Sequence, residues 1–448
     1  MAAPLALDLT GLFLAPINRT PRGIDRVEIA FARHFLNRWS NDVWAILPTP
    51  WGVRCFERDR ALRFLEAVEE LWREKIKPQH DEAYGKAKSA ILAGVAERPL
   101  PRKPRRLSVA RIVARYFQLL SLTGFSFGRS VARTLPNNAI YLNVGQLQIF
   151  RPWYWWLRRR PDVTGVFMIH DVTPIEHPSH HSPIIVRLHH RIVQNTAEFA
   201  KALIFPSYAA GDSVCAELRK HSEKRYVAHV EALPVPDEFL GNALPDVELS
   251  KAKYFIVCGV IDPHKNHLFL LEIWKELIAR LGAGAPKLVI AGSPQAGGEV
   301  VFKTLKADQA LHSHVVIAPG ISTPGLRQLM LSARALLMPS ISEGFGLPIV
   351  EALAQGTAVI ASDIPAHREA GRGGDVVYLP LNDRSSWVRS IEALARGPLY
   401  AARKHYKPKT WEDYFSKIEA FLTVNLKPGL PRERPQKLSH IDRRTRKL

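Results

Sequence analysis

The stretch of this sequence richest in chemistry runs from Ala335 to Asp363, ALLMPSISEGFGLPIVEALAQGTAVIASD. It reads as an apolar run, a loop holding Gly344 and Gly346, a helix beginning near Pro348, and a second apolar run. Glycines let the backbone approach a ligand closely. The N–H groups of Phe345, Gly346 and Leu347 fall at a helix start, where partial positive charge favours a phosphate. Glu343 precedes the loop, and Glu351 follows inside the helix. A carboxylate so placed can accept from the two vicinal hydroxyls of a ribose, while the other, nearer the loop, can meet a second hydroxylated ring. The spacing of two glutamates is common by itself; the PSxxEGFGLPxxEA context is what makes it specific.

That context resembles the signature of retaining, nucleotide-sugar-dependent glycosyltransferases of family four (group 1), in particular the mannosyltransferase-like branch of bacterial polysaccharide assembly. The resemblance implies an α/β protein of GT-B fold, with two Rossmann-like, doubly wound parallel-sheet domains facing a cleft. It implies that Glu343 faces the transferred sugar, that Glu351 holds the ribose, and that the backbone of Gly344, Phe345, Gly346 and Leu347 contacts sugar and diphosphate. Tyr254–Leu271, YFIVCGVIDPHKNHLFLL, resembles the first strand and loop of the family's donor domain. The carry-over makes Gly259, His264, Lys265 and Asn266 donor-side residues, with Lys265 neutralising the diphosphate. An ammonium there stabilises charge developing on the leaving group. The family places an arginine just before that lysine or just after the glycine, whereas this sequence has His264 and Val260. One positive charge is therefore missing, to be supplied by a protonated His264 or by another cation.

Other stretches agree. Val163–Pro178 ends a first-half strand with His170-Asp171 and resembles the family's HD-x-x-P segment, whose histidine reaches the transferred sugar. Thr20–Glu28, TPRGIDRVE, resembles the amino-terminal glycine loop and helix start, so Gly23, Arg26 and Asp171 are expected on the acceptor side of the cleft. Trp411–Leu422 resembles the closing helix that packs back across the domains. The likeness covers residues 1–35 and 139–425. Its implied catalytic set is Glu343, Lys265 and His170, acting as the domains close on donor and acceptor. For retention without a nucleophile, the acceptor attacks the face the leaving group departs from, and a donor phosphate oxygen takes its proton. His177, His180, His181, His189 and His190 look like a metal cluster. No carboxylate spacing accompanies them and this family's fold works without metal, so neither a metal nor another cofactor is expected. The donor substrate is a GDP- or UDP-sugar, with mannose slightly favoured. Two rivals stand beside this reading: an inverting or phosphorolytic enzyme on the same fold, and a non-catalytic protein binding sugar, nucleotide or nucleic acid.

The elements that must position these residues are legible as alternation. YFIVCG, KLVIAG, VVIAP, ALLMPS, TAVIAS and VVYLP are short apolar runs separated by helical patterns, as in a parallel sheet covered on both faces. Thr323-Pro324 reads as N-cap and first-turn proline, and Gly356 ends the PIVEALAQ helix. MAAPLALDLT, DVWAILPTP, AIYLNVG, VTGVFMIH and KALIFPS supply earlier strands, with GIDRVEIAFARHFLNRW an amphipathic helix. These give an acceptor domain over 1–245 with a basic insertion at about 75–138, a nucleotide-sugar domain over 246–408, a closing helix over 409–425 and a basic tail over 426–448.

The chain has 448 residues, enough for two cores, and 62 basic against 42 acidic residues give a net charge of +20. Such a surplus attracts polyanions. Between Arg102 and Arg133 there are eight basic residues and no acidic one. Within that span Val109, Ile112, Val113, Tyr116, Phe117 and Leu120 read as one apolar helical face, with Arg111 and Arg115 opposite. In FRPWYWWLRRR (150–160), aromatic rings beside cations suit a lipid headgroup layer. The expected partners are thus the nucleotide-sugar donor, a polyprenyl-diphosphate-linked saccharide acceptor and an anionic membrane surface, and no nucleic acid. Cys55, Cys215 and Cys258 are too few and scattered for a disulfide framework. No apolar stretch is long enough to span a bilayer, and the first residues lack the basic region of an export signal. The expected location is cytoplasmic, peripheral on the inner face of the plasma membrane.

Overall fold

The computed structural model describes residues 2–14, 21, 23–49, 52–73, 78–93, 109–123, 131–146, 151–295, 297–397 and 406–426. The basic tail beyond 426, Thr20, Phe150 and the arginine-rich stretch 102–106 lie outside these residues.

Seven strands form the first sheet, in the order β3-β2-β1-β4-β5-β6-β7. They are β1 (Leu5–Asp8), β2 (Val43–Thr49), β3 (Gly52–Glu57), β4 (Ile140–Asn143), β5 (Thr164–Met168), β6 (Ala202–Phe205) and β7 (Val227–Val230). All pairings are parallel except β2 with β3, an antiparallel edge hairpin that adds a strand to the expected five. β7 is the second addition. Its burial is only partial, as befits an edge without a continuous apolar run.

The second sheet has the order β10-β9-β8-β11-β12-β13 and is parallel throughout. Its strands are β8 (Tyr254–Cys258), β9 (Lys287–Ala291), β10 (Val315–Ile317), β11 (Leu336–Met338), β12 (Val359–Ser362) and β13 (Val376–Leu379), one for each expected run. Strand order reverses between β8 and β11. In such sheets ligands bind beyond the carboxyl ends at that switch point, which is where the loops after β8 and β11 lie.

The predicted amphipathic helix is Gly23–Arg38, with Val27, Phe31 and Phe35 buried. The helix after β10 starts one residue earlier than expected. Ser322, not Thr323, is the N-cap, its hydroxyl accepting from Gly325 N at 3.2 Å, while Pro324 keeps its first-turn place. The chain's last described helix, Trp411–Ala420, returns to the first half. Phe415 stacks on His34 with ring centroids 4.0 Å apart and meets Phe31 edge-on at 5.1 Å. Lys409 and Lys417 both reach Glu231 at the end of β7, at 2.8 and 3.0 Å.

The segment expected as one basic insertion divides in two. Helix Glu82–Leu92 leaves the first half and leans on the second. Lys287 Nζ donates to Ile91 O at 2.7 Å and also to Ala93 O, capping that helix, and Lys88 pairs with Asp246 at 2.7 Å. Helix Val109–Leu122 packs on Arg58–Arg73 instead. It buries Leu119 and sets Tyr116 against Phe13 with the rings tilted and their centroids 5.0 Å apart, while Val113 and Phe117 face outward at 44% and 66% exposure. The buried stripe is thus rotated from the apolar face expected. The aromatic segment is a 3-10 helix, Arg151–Arg159, that is largely core: Tyr154 and Trp156 are buried and only Trp155 is open. Arg151 and Arg158 pair with Glu198, and Arg160 is tied to Asp162. No described helix is long and apolar enough to cross a membrane.

Asp81 joins the two halves. Its Oδ1 accepts from Ala83 N at 2.9 Å, capping its own helix, and its Oδ2 accepts from Ser322 N at 2.7 Å on the far half. Asp81→Ala removes a cap and a buried charge-assisted bond together. It is expected to lower unfolding free energy by about 2–3 kcal/mol in a urea titration, with Asp81→Asn losing less.

Candidate active site

The loop from Pro339 to Gly346 leaves β11 and enters the helix Leu347–Ala354. Gly346 caps that helix at φ +108°, a conformation that side-chain-bearing residues rarely adopt. Gly344 is required for a different reason. A Cβ there would stand 2.1 Å from the carbonyl oxygen of His170, so this backbone lies directly on the first half. Ser207 Oγ donates to Gly344 O at 2.5 Å, and Thr173 Oγ1 lies 3.3 Å from Ser342 Oγ. Leu347 comes close to Gly23 as well: a Cβ on that glycine would be 3.2 Å from Leu347 Cδ1. Phe345 itself points into the core, leaving its backbone for the cleft.

Both glutamates are buried and face cations. Glu343 Oε1 is 2.5 Å from Lys265 Nζ and accepts from Ser340 Oγ at 2.7 Å. Burial pushes its carboxyl upward, but the charges of Lys265 and His367 and the Lys265 hydrogen bond outweigh it and hold the pKa at about 2. A depressed pKa means the pair's contribution is fully present above the unfolded value and is lost as pH falls toward 2. Glu351, 1% exposed, has Arg26 Nη1 3.0 Å from its Oε1. Burial raises its pKa and Arg26 opposes the rise. Arg26, expected on the acceptor side, therefore reaches across to Glu351 of the second half, and its guanidinium also lies over the Phe239 ring.

Lys265 is placed by the turn after β8. Gly259 takes φ +126° with the lysine stem alongside, and Asn266 adopts the left-handed conformation at φ 57° to start the next helix. Asn tolerates that region better than most residues. His264 Nδ1 is engaged with Asp262 Oδ1 at 2.7 Å, and its carbonyl accepts from Ile341 N at 2.8 Å, tying this turn to the glycine loop. His170 is buried, its Nε2 2.8 Å from Val144 O, and its N–H donates to Gln146 Oε1 at 2.6 Å. Burial lowers its pKa. Asp171 Oδ1 accepts from Thr173 N at 3.1 Å, turning the loop that meets Gly344.

The residues expected to face donor, sugar and acceptor thus gather around the glycine loop, where the second half meets the first. Sequence reasoning missed His367 and Glu369. His367 packs beside Gly346 and acts electrostatically on Glu343. Glu369 accepts from Tyr208 N at 2.7 Å and Ala209 N at 2.8 Å, capping a first-half helix from the second half. The signal was available: DIPAHREAG follows β12 at a strand's carboxyl end, as the glycine loop follows β11.

Two facing parallel α/β sheets with a site between their strand ends define a GT-B glycosyltransferase fold. Residues 245–412, which hold the whole second sheet, match the family model of glycosyl transferases group 1. It is 27% identical to the O-antigen chain mannosyltransferase RfbU of Salmonella typhimurium over 51% of this chain and 60% of that one. It is 28% identical to the serotype-specific mannosyltransferase WbdA of Escherichia coli over 45% of this chain and 26% of that one. The matches thus span less than two thirds of these curated relatives. Among solved structures, HepE (Alr3699) of Anabaena in complex with UDP aligns over 94% of this chain and 95% of that one, at TM-score 0.52 and 15% identity. Sucrose-phosphate synthase (tll1590) of Thermosynechococcus elongatus aligns over the same shares at TM-score 0.55 and 15% identity. At such identities the likeness is one of fold.

The Glu369 contact generates a direct expectation. In Glu369→Ala the Tyr208 and Ala209 amides lose their acceptor, and their hydrogen exchange is expected to quicken about tenfold, equivalent to about 1.4 kcal/mol. Amides within β9, remote from this contact, should keep their rates.

Proposed function

We propose that this chain is a retaining hexosyltransferase that moves a sugar, mannose in first preference, from a nucleoside-diphosphate donor to a lipid-linked or polysaccharide-precursor saccharide. The observation that carries the proposal is the convergence of two buried carboxylates, one ammonium and one glycine-hinged helix start on a single point of the cleft. Both mannosyltransferase relatives named above support the choice of sugar.

In this reading the amides at Phe345–Leu347 and the Lys265 ammonium take the diphosphate, whose negative charge grows as the glycosidic bond breaks. Fixed donors aimed at developing charge in a water-poor cleft supply the largest share of such catalysis. The donor displaces two internal pairs as it binds: diphosphate competes with Glu343 for Lys265, and ribose hydroxyls compete with Arg26 for Glu351. Glu343, freed from Lys265, orients the sugar. His170 contacts the sugar from the opposite half, while Gly23 and Asp171 border the acceptor. No metal takes part in the transfer step. Closure of the halves holds donor and acceptor in register, the entropic part of the acceleration.

The acceptor is proposed to be a polyprenyl-diphosphate-linked saccharide at the inner membrane face. The net charge of +20 and the outward Val113 and Phe117 on a helix that also carries Arg115 support it.

Kinetics with a panel of GDP- and UDP-sugars test the assignment. Glu351→Ala is expected to raise the donor KM about tenfold or more with kcat nearly kept, and Lys265→Ala to lower kcat about 100-fold. Equal effects of both on binding alone would overturn the roles, and inversion at the product anomeric carbon would overturn retention. In flotation, the chain should rise with vesicles containing anionic lipid and stay down with neutral ones, and Phe117→Asp should reduce recovery severalfold.

A further inference from the structure

Beside the glycine loop, the structure gathers a second constellation, of which only His264 is also a donor-side residue. His181, Asp262 and His264 place their ligating atoms within 4.8 Å of one another. His264 Nδ1 is 2.7 Å from Asp262 Oδ1, and His181 Nδ1 is 3.8 Å from the same oxygen. The side chains of His181, Asp262 and His264 are only 7%, 8% and 15% exposed. The His181 ring has no hydrogen bond among the described residues: Nδ1 is beyond reach of Asp262, and Nε2 is buried without a partner. A buried polar nitrogen left unpaired is costly, and native structures rarely leave one so without a reason.

The three residues come from both halves. His181 stands just before the helix Pro183–Phe199 of the first half, and Asp262 and His264 lie in the turn after β8 of the second. We propose that His181, Asp262 and His264 form a binding site for one zinc-like divalent transition ion that bridges the two halves. Two imidazoles and one carboxylate suit Zn²⁺ or Co²⁺ and not Mg²⁺, which prefers oxygen ligands and keeps its waters. Bonds of 2.0–2.2 Å in a tetrahedral site put ligand atoms about 3.3 Å apart. Both separations from Asp262 bracket that value, and the third, between His181 and His264, is at most 4.8 Å.

The local charge permits a cation. Lys265 is the adjacent residue, but its ammonium is neutralised by Glu343 at 2.5 Å. Asp171 and His189 also face His181, one favouring and one opposing an ion. The sequence had suggested a run of first-half histidines as a metal cluster and set it aside for want of a carboxylate. Of that run, His177 and His180 stack on each other and His189 Nδ1 turns to Ile185 O, while His181 finds its carboxylate on the other half. The ion's task is to hold the halves together; the transfer step stays with Lys265 and the loop amides. The site stands independently of the transferase reading, because metal binding is measured without any donor.

The test is titration of the chelator-treated full chain with Co²⁺, followed by visible absorption. Expected are one ion per chain, a d–d band of low coordination number, displacement by equimolar Zn²⁺ and none by excess Mg²⁺. His181→Ala and Asp262→Asn should each weaken Co²⁺ by more than the roughly 10–100-fold that loss of an outer-shell partner causes. His221→Ala, an exposed histidine elsewhere, should leave binding unchanged. Circular dichroism of each variant separates lost ligation from lost fold, and His181→Gln provides a second, gentler replacement. Absence of the band in the unsubstituted chain, equal affinity in a folded His181 variant, or displacement by Mg²⁺ would overturn the proposal.

Discussion

Two carboxylates buried at one helix start must each be matched by a cation, and the cleft is arranged around that requirement. An unpaired buried charge costs several kcal/mol, so neither Glu343 nor Glu351 can be packed at the seam alone. Glu343 finds Lys265 within its own half, whereas Glu351 finds Arg26 on the opposite half. The first pairing orders the turn after β8 against the glycine loop. The second makes the contact between the halves part of the charge balance of the site.

Around these pairs, backbone groups do the joining. Gly344 lies against the His170 carbonyl because it has no side chain, Ser207 bonds its carbonyl, and Glu369 satisfies the free amides of a helix it does not belong to. The polar groups that face the cleft therefore already have partners inside the protein, and their charges are compensated there.

The second sheet was legible in the sequence because parallel strands buried on both faces are continuous apolar runs, and each of the six runs became a strand. The glycine loop, Lys265 and His170 were legible because strand ends carry ligands and because the motif context is specific. GVRCFE and VAHV were not, since both are edge strands in which polar and apolar residues mix. Helix 109–122 shows a different limit. Its amphipathic pattern is real, but which stripe is buried depends on helix Arg58–Arg73, and Leu119 turned inward where Phe117 was expected. Pairings such as Arg26 with Glu351 and His181 with Asp262 join residues remote in the chain, and no spacing rule sees them.

Helix Glu82–Leu92 belongs by chain order to the first half but is fastened by Lys287, Asp246 and Ser322 to the β10 side of the second. The Glu369 contact sits on the opposite flank, beyond β12. The two halves are thus fastened on both flanks of the second sheet, and the pairs Arg26–Glu351 and Ser207–Gly344 lie between these fastenings.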